Sequence, residues 1–241
     1  MADKRFTGED FRGAVFRDCD MRGLKITDSW LVDVSISGLI GAVVVNDVDV
    51  TDFVEGELDR QHPERVLVRE ARTAGDYRGA WDAIERAWSA TVDRARRLPE
   101  ATLQEQVDEE YSFVETLRHL VFATDAWASR TVLDDPAPYH RLGLTYSGYP
   151  PESAAALGVE LDAKPSFAEV LEVRADRQAV VRGIIASLTS DELARVCTRT
   201  PAPGYPEEDR TVGHCIRVVM NEECGHLHYA TRDLAVLEAR A

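Results

Sequence analysis

The amino-acid sequence predicts a mainly α protein, a four-helix bundle preceded by a small N-terminal segment of different periodicity. Two observations carry this. Seven large apolar residues, Phe6, Phe11, Phe16, Met21, Ile26, Leu31 and Ile36, recur every five positions, a period that belongs to neither a helix nor a strand. From Tyr77 onward apolar residues recur instead at alternating steps of four and three, the pattern of amphipathic helices.

The 241 residues are 44% hydrophobic and 29% charged, enough apolar side chain for a packed core and too much for a disordered chain. Forty-three acidic residues against 28 basic ones give a formal charge of −15, which repels phosphate backbones and anionic lipid. Neither nucleic acid nor membrane is therefore expected as a partner. Met1-Ala2-Asp3-Lys4-Arg5-Phe6 lacks the apolar run of a signal peptide, and no later stretch approaches the roughly 18 apolar residues of a membrane helix. The expected location is cytoplasmic. Cys19, Cys197, Cys215 and Cys224 form no CxxC pair and read as reduced core thiols. No Walker loop, GxGxxG turn, Ser-His-Asp arrangement or zinc-knuckle spacing occurs.

Within the five-residue period, the position two before each centre drifts toward small or apolar types, as in Ala14, Cys19, Leu24 and Val34. Two inward positions in five suit a chain that turns a corner every repeat. In this respect residues 1–55, and Phe11-Arg12-Gly13-Ala14-Val15-Phe16-Arg17-Asp18-Cys19-Asp20 above all, resemble the pentapeptide-repeat family. The resemblance implies a right-handed, four-sided β-helix with slightly under two coils over residues 4–40. Val43–Val50 would close the stack as one or two short strands. So short a stack needs support from the rest of the chain or from a second copy in a homodimer. With 6 basic and 11 acidic residues it is acidic, but too short to imitate a duplex. Residues 56–75 are polar and charged and read as a linker, with His62 of Gln61-His62-Pro63-Glu64-Arg65 a solvated loop side chain.

The bundle then occupies residues 76–241. Tyr77, Trp81, Ile84, Trp88, Thr91 and Ala95 mark its first helix, which Leu98-Pro99 ends. Phe113, Leu117, Leu120, Thr124 and Trp127 mark the second. Phe167, Val170, Leu171, Val181, Ile184, Ile185 and Leu188 mark the third, with Ser166 and Glu169 as a capping box. Thr189-Ser190-Asp191-Glu192 caps a short helix, and Val212, Ile216, Val219, Ala230 and Leu237 mark the fourth long one. The connection over 134–165 is long and proline-rich, as functional loops often are. Its Tyr139, Tyr146 and Tyr149 are candidates to cover a pocket mouth.

The apolar stripe of the fourth helix, continued from Val219, reaches Glu222 and His226 before resuming at Ala230. Their spacing of four stacks the two side chains on one helical face, and His119 lies in the apolar second helix. Two readings stay open on these residues. Glu222 and His226 form an intrahelical hydrogen bond beside a core histidine, or all three hold one divalent metal with positions left for water and substrate. Zinc, nickel, iron and manganese all suit such donors.

Ser112-Phe113-Val114-Glu115-Thr116-Leu117-Arg118-His119-Leu120 and Asn221-Glu222-Glu223-Cys224-Gly225-His226 resemble the two metal-bearing helices of the DinB-like superfamily. The likeness spans about 75–238 and implies an up-down four-helix bundle with His119, Glu222 and His226 as metal ligands, zinc being the first expectation. The Glu and His pair is similar to that of the mycothiol-dependent maleylpyruvate isomerase branch. That implies a metal-dependent thiol S-transferase or thiol-dependent isomerase acting on a small molecule, with a low-molecular-weight thiol as co-substrate and hydrolase chemistry also open. The alternative is a non-catalytic metal-binding or protein-interaction module. The isomerase branch carries a further carboxy-terminal domain, whereas this sequence stops after the bundle at Ala241, so no substrate residues are carried over. His228, a rival to His226 as ligand, and Tyr229 are candidates for acid/base or orienting groups at the rim. Glu223 is either an exposed acid or a carboxylate that holds a ligand histidine.

Overall fold

Tyr77, Ala80, Trp81, Ile84, Trp88 and Ala95 bury one face of a 22-residue helix, α3 (Ala74–Ala95), against three further long helices. In this computed structural model, which describes residues 4–17, 19–38 and 40–240, they are α4 (Phe113–Thr124), α6 (Phe167–Ser187) and α8 (Val212–Arg240). Shorter helices complete the chain: α1 (Thr51–Gln61), α2 (Pro63–Glu70), α5 (Pro151–Ala156) and α7 (Ser190–Ala194). Two small antiparallel ribbons join them, β1 (Val44–Val45) with β2 (Val48–Asp49), and β3 (Val196–Cys197) with β4 (Arg210–Thr211).

Local chemistry sets where the bundle helices begin. Thr73 with Asp76, Ser112 with Glu115 and Ser166 with Glu169 each form reciprocal capping boxes, satisfying backbone donors that the first helical turn leaves free. The helix containing His119 changes at Asp125 into a π-helical stretch, Asp125–Val132, in which Thr131 Oγ1 donates to the Ala126 carbonyl. The wider turn leaves Asp125 fully buried, where it accepts from Arg177 Nε at 2.7 Å and from the His140 amide at 2.8 Å. Burial raises the Asp125 carboxyl to about 6 despite Arg177.

The helix directions differ from the up-down order expected. Phe113 meets Phe167 and Asp125 meets Arg177, so α4 and α6 run parallel. Tyr77 donates to the Gly213 carbonyl and Arg94 pairs with Glu238, so α3 and α8 also run parallel. Arg182 with Glu85, and His119 with Glu222, set the antiparallel pairs α3–α6 and α4–α8. The order is up, down, down, up. The connection over 133–166 is long enough to return the chain along the bundle, which a short hairpin loop cannot do.

Two expectations for the N-terminal part are corrected. Among the described residues of 4–40 there is no strand, hence no β-helix; Asp18 and Leu39, within the repeat, lie outside the described residues. The five-residue cadence persists as bends, with left-handed residues at Gly8, Gly13, Gly23, Asp28, Asp33 and Gly38. At Gly13 and Gly23 this follows from turns closed by Ala14 N to Phe11 O and Leu24 N to Met21 O, which need positive φ at their third residue. With under two coils, no residue could have a layer on both sides, so no repeat could be fully enclosed. Phe6, Phe11, Phe16, Ile26, Leu31 and Ile36 accordingly stay 48–67% exposed. Arg17 ties the segment to the bundle, donating to the Asp108 carbonyl at 2.8 Å and pairing with Glu110 at 3.5 Å.

The second correction concerns 56–75. Most of this stretch is helix, not linker: α1 ends at Gln61, and Pro63 starts α2, where a proline costs nothing because the first amide is free. Val68 and Ala71 join the core, and Arg217 of α8 donates to their carbonyls at 2.7 Å each. The cysteines divide too. Cys197, Cys215 and Cys224 are buried, but Cys19 is exposed. Among the described residues, no helix is long and apolar enough to cross a membrane.

Candidate metal centre

His119 sits two turns into α4, 7% exposed, and its ring is held by the chain that follows: Nδ1 lies 3.0 Å from the Leu144 carbonyl oxygen. A carbonyl only accepts, so Nδ1 carries the proton and the Nε2 lone pair is left free. Nε2 lies 3.4 Å from Glu222 Oε2 on the antiparallel α8, and His226 Nε2, one turn further along, lies 3.4 Å from the same oxygen. One donor atom from each residue falls within 4.8 Å of the other two. Such a cluster of two imidazoles and a carboxylate fits a divalent transition ion.

Burial alone would raise the Glu222 carboxyl, but its contacts with His119 and His226 hold it down to about 2, so it is a carboxylate. Burial lowers the His226 imidazole, which Glu222 only partly offsets, leaving the neutral ring that a ligand must be. The His119 and His226 ring centroids are 4.6 Å apart. Tyr111 forms a wall against both, 5.6 Å from His119 and 6.4 Å from His226. Its hydroxyl donates to the Thr145 carbonyl at 3.0 Å.

The structure brings together His119, Glu222 and His226, the three residues singled out as ligands. It places their neighbours elsewhere. Glu223 is neither exposed nor a support for a ligand histidine; it is fully buried and bonded to Arg174 of α6. The deep positions of α8 are Glu223, Cys224 and Leu227, so Glu222 and His226 lie at the margin of the apolar stripe and not in its centre. His228 packs on His62, and Tyr229 lies edge-on to His226 at 6.5 Å under the Arg232 guanidinium. His140 accepts from the Leu142 amide, and His214 packs on Trp127. Tyr139 and Tyr149 donate to the Pro201 and Pro203 carbonyls; Tyr146 stays exposed beside Tyr205.

Sequence reasoning missed Tyr111 and the Leu144 carbonyl. Tyr111 had a usable signal, since it immediately precedes the Ser112 cap of a ligand-bearing helix. The carbonyl had none, because it arrives from a loop 25 residues away.

Fold and site together define a helical bundle with a candidate transition-metal centre between its second and last long helices. Residues 83–230, more than half of the chain, match the family model described as the DinB superfamily, and the chain belongs to that superfamily. No curated protein and no solved structure matches it.

Proposed function

We propose that the protein is a metal-dependent enzyme that uses a low-molecular-weight thiol to transfer or isomerise a small molecule. The observation that carries this reading is the convergence of His119, Glu222 and His226 donor atoms within 4.8 Å. Zinc suits the set best, with nickel, iron or manganese as alternatives. A divalent cation held there lowers the pKa of a thiol or water it binds and supplies a nucleophile near neutral pH. Mycothiol is the thiol of choice, from the resemblance of the Glu and His pair to the isomerase branch.

The chain's own groups have distinct parts in this scheme. The Leu144 carbonyl keeps His119 in one tautomer, and Tyr111 walls the two imidazoles. Burial pushes the Tyr205 phenol up to about 12, with Tyr146 and Glu222 adding to the shift, so it stays protonated and able to donate a hydrogen bond.

Elemental analysis of the parent beside His226→Ala tests the site; the expected result is loss of one equivalent of transition metal in the variant. Calorimetry and conjugation assays with mycothiol and other small thiols test the chemistry. Metal without thiol binding or turnover overturns the enzyme reading and leaves a non-catalytic metal protein.

A second reading concerns the N-terminal segment. Among the described residues, fifteen of the twenty exposed large hydrophobic ones lie between Phe6 and Val48, including Trp30 at 97%. Large apolar side chains left exposed in such number mark an interaction surface. We take the occupant to be a second copy of the chain. Sedimentation is expected to show a dimer that Phe11→Ser with Phe16→Ser converts to monomer; a monomeric parent overturns this.

A further inference from the structure

The α1–α2 junction, α3 and α8 enclose a cleft of about 530 Å³, lined among others by His62, Glu64, Thr91, His228 and Arg232. It is separate from the triad. His226 and His228 are about 200° apart around α8, so one imidazole faces α4 and the other faces the α1–α2 junction. There His228 Nδ1 lies 3.0 Å from His62 Nε2, with ring planes at 89°.

Behind His62 stands a carboxylate. Glu64 is 5% exposed, its Oε1 lies 3.4 Å from His62 Nδ1, and that oxygen accepts no hydrogen bond. Of the neighbouring guanidiniums, Arg65 pairs with Glu55 and Asp59 and Arg232 with Asp233, each keeping one buried nitrogen without a hydrogen bond, and neither bonds to Glu64. A buried carboxylate whose one direct neighbour is an imidazole is stabilised by positive charge drawn to that imidazole.

We propose that His62 and His228 hold a second divalent transition-metal ion, with Glu64 as the carboxylate that orients His62. Two nitrogens about 3 Å apart match adjacent ligands on one ion with bonds of about 2.0–2.1 Å. The negative charge of Glu64, 3.4 Å from Nδ1, favours the tautomer with its proton on that side and the Nε2 lone pair outward, the role carboxylates play behind metal-bound histidines. Two imidazoles select zinc, nickel, cobalt or copper over magnesium or calcium. The cleft leaves the remaining coordination positions to water or a small ligand.

The test is the metal stoichiometry of the full chain, stripped with chelator and titrated with Zn²⁺ in a calorimeter. The parent is expected to bind two equivalents, and the double variant Glu222→Gln with His226→Ala to retain one. His62→Gln and His228→Asn, which nearly conserve volume, should each lose the second equivalent and keep the first. Cu²⁺ loaded into the double variant should give an electron-spin spectrum with nitrogen couplings, abolished by His62→Gln. A parent that binds a single equivalent, lost in the double variant and unaffected by His62→Gln, overturns the second site and leaves a hydrogen-bonded imidazole pair. One equivalent lost in His62→Gln and kept in the double variant refutes the triad instead. No Zn²⁺ bound by the parent overturns both.

Discussion

His119 Nδ1 lies 3.0 Å from the Leu144 carbonyl oxygen, so the tautomer of a candidate ligand on α4 is fixed by a loop that belongs to the crossover between α4 and α6. Disturbing that loop should weaken the site without touching a ligand. A Cβ at Gly143 would come within 3.1 Å of the His140 carbonyl and 3.4 Å of Phe122 Cβ, forcing the backbone next to Leu144 to move. Gly143→Ala is therefore expected to lower Zn²⁺ affinity by about tenfold, the low end for loss of a ligand's supporting bond. Competition with a chelating indicator checks this, and an unchanged affinity would show that the carbonyl is dispensable.

Glu222→Gln should separate charge from shape. The amide keeps nearly the same volume but cannot supply the negative charge that two neutral imidazoles lack, so metal affinity at the triad should fall by more than an order of magnitude while the circular dichroism spectrum is retained. Equilibrium dialysis against Zn²⁺ reads the difference.

Arg174 and Glu223 form a buried pair in which Arg174 Nε and Nη1 and Glu223 Oε1 have no other hydrogen-bond partner. Arg174 also lies over the Trp88 ring, 5.6 Å from its centroid. Removing one partner strands a charge in the core, so Glu223→Leu should cost about 3–5 kcal/mol in urea unfolding. The double change Arg174→Met with Glu223→Leu should recover most of that. Equal losses in the single and double variants would contradict this account.

The acid limb of stability should carry the signature of Asp125. Its folded-state carboxyl lies at about 6, above the ordinary 3.8, so the folded state holds the proton more tightly than the unfolded chain does. The corresponding stability is fully present below about pH 4 and is lost as pH rises to about 6, a difference on the order of 3 kcal/mol. In Asp125→Asn that component should vanish. Urea midpoints of both proteins between pH 3.5 and 7 test the slope.

What was legible in the sequence follows from how local each cause is. The long helices were readable from apolar residues stepping by threes and fours, and Ser166 and Thr189 marked the starts of α6 and of the short α7. The triad was readable because a spacing of four puts Glu222 and His226 on one face whatever the exact phase. The phase itself was not: α8 is 29 residues long, 3.6 residues per turn drifts against a stripe counted in threes and fours, and Glu223 took the buried position. In α1 no residue is fully buried, so periodicity gave no sign of helix. His62 became part of a cluster only through α8, 166 residues away. The five-residue cadence was visible and survives in the backbone bends, but a repeat in sequence does not by itself provide a layer for strands to pair with.

Trp30 has a practical consequence. Trp81 and Trp88 are buried and Trp127 is partly covered, so Trp30 is the single indole open to solvent. Its fluorescence should be the red-edge, iodide-quenchable fraction of the protein's emission, a native optical probe of the N-terminal segment. Dilution should expose that fraction as a second copy leaves. Metal loading should leave it alone and alter only the iodide-resistant emission of the bundle.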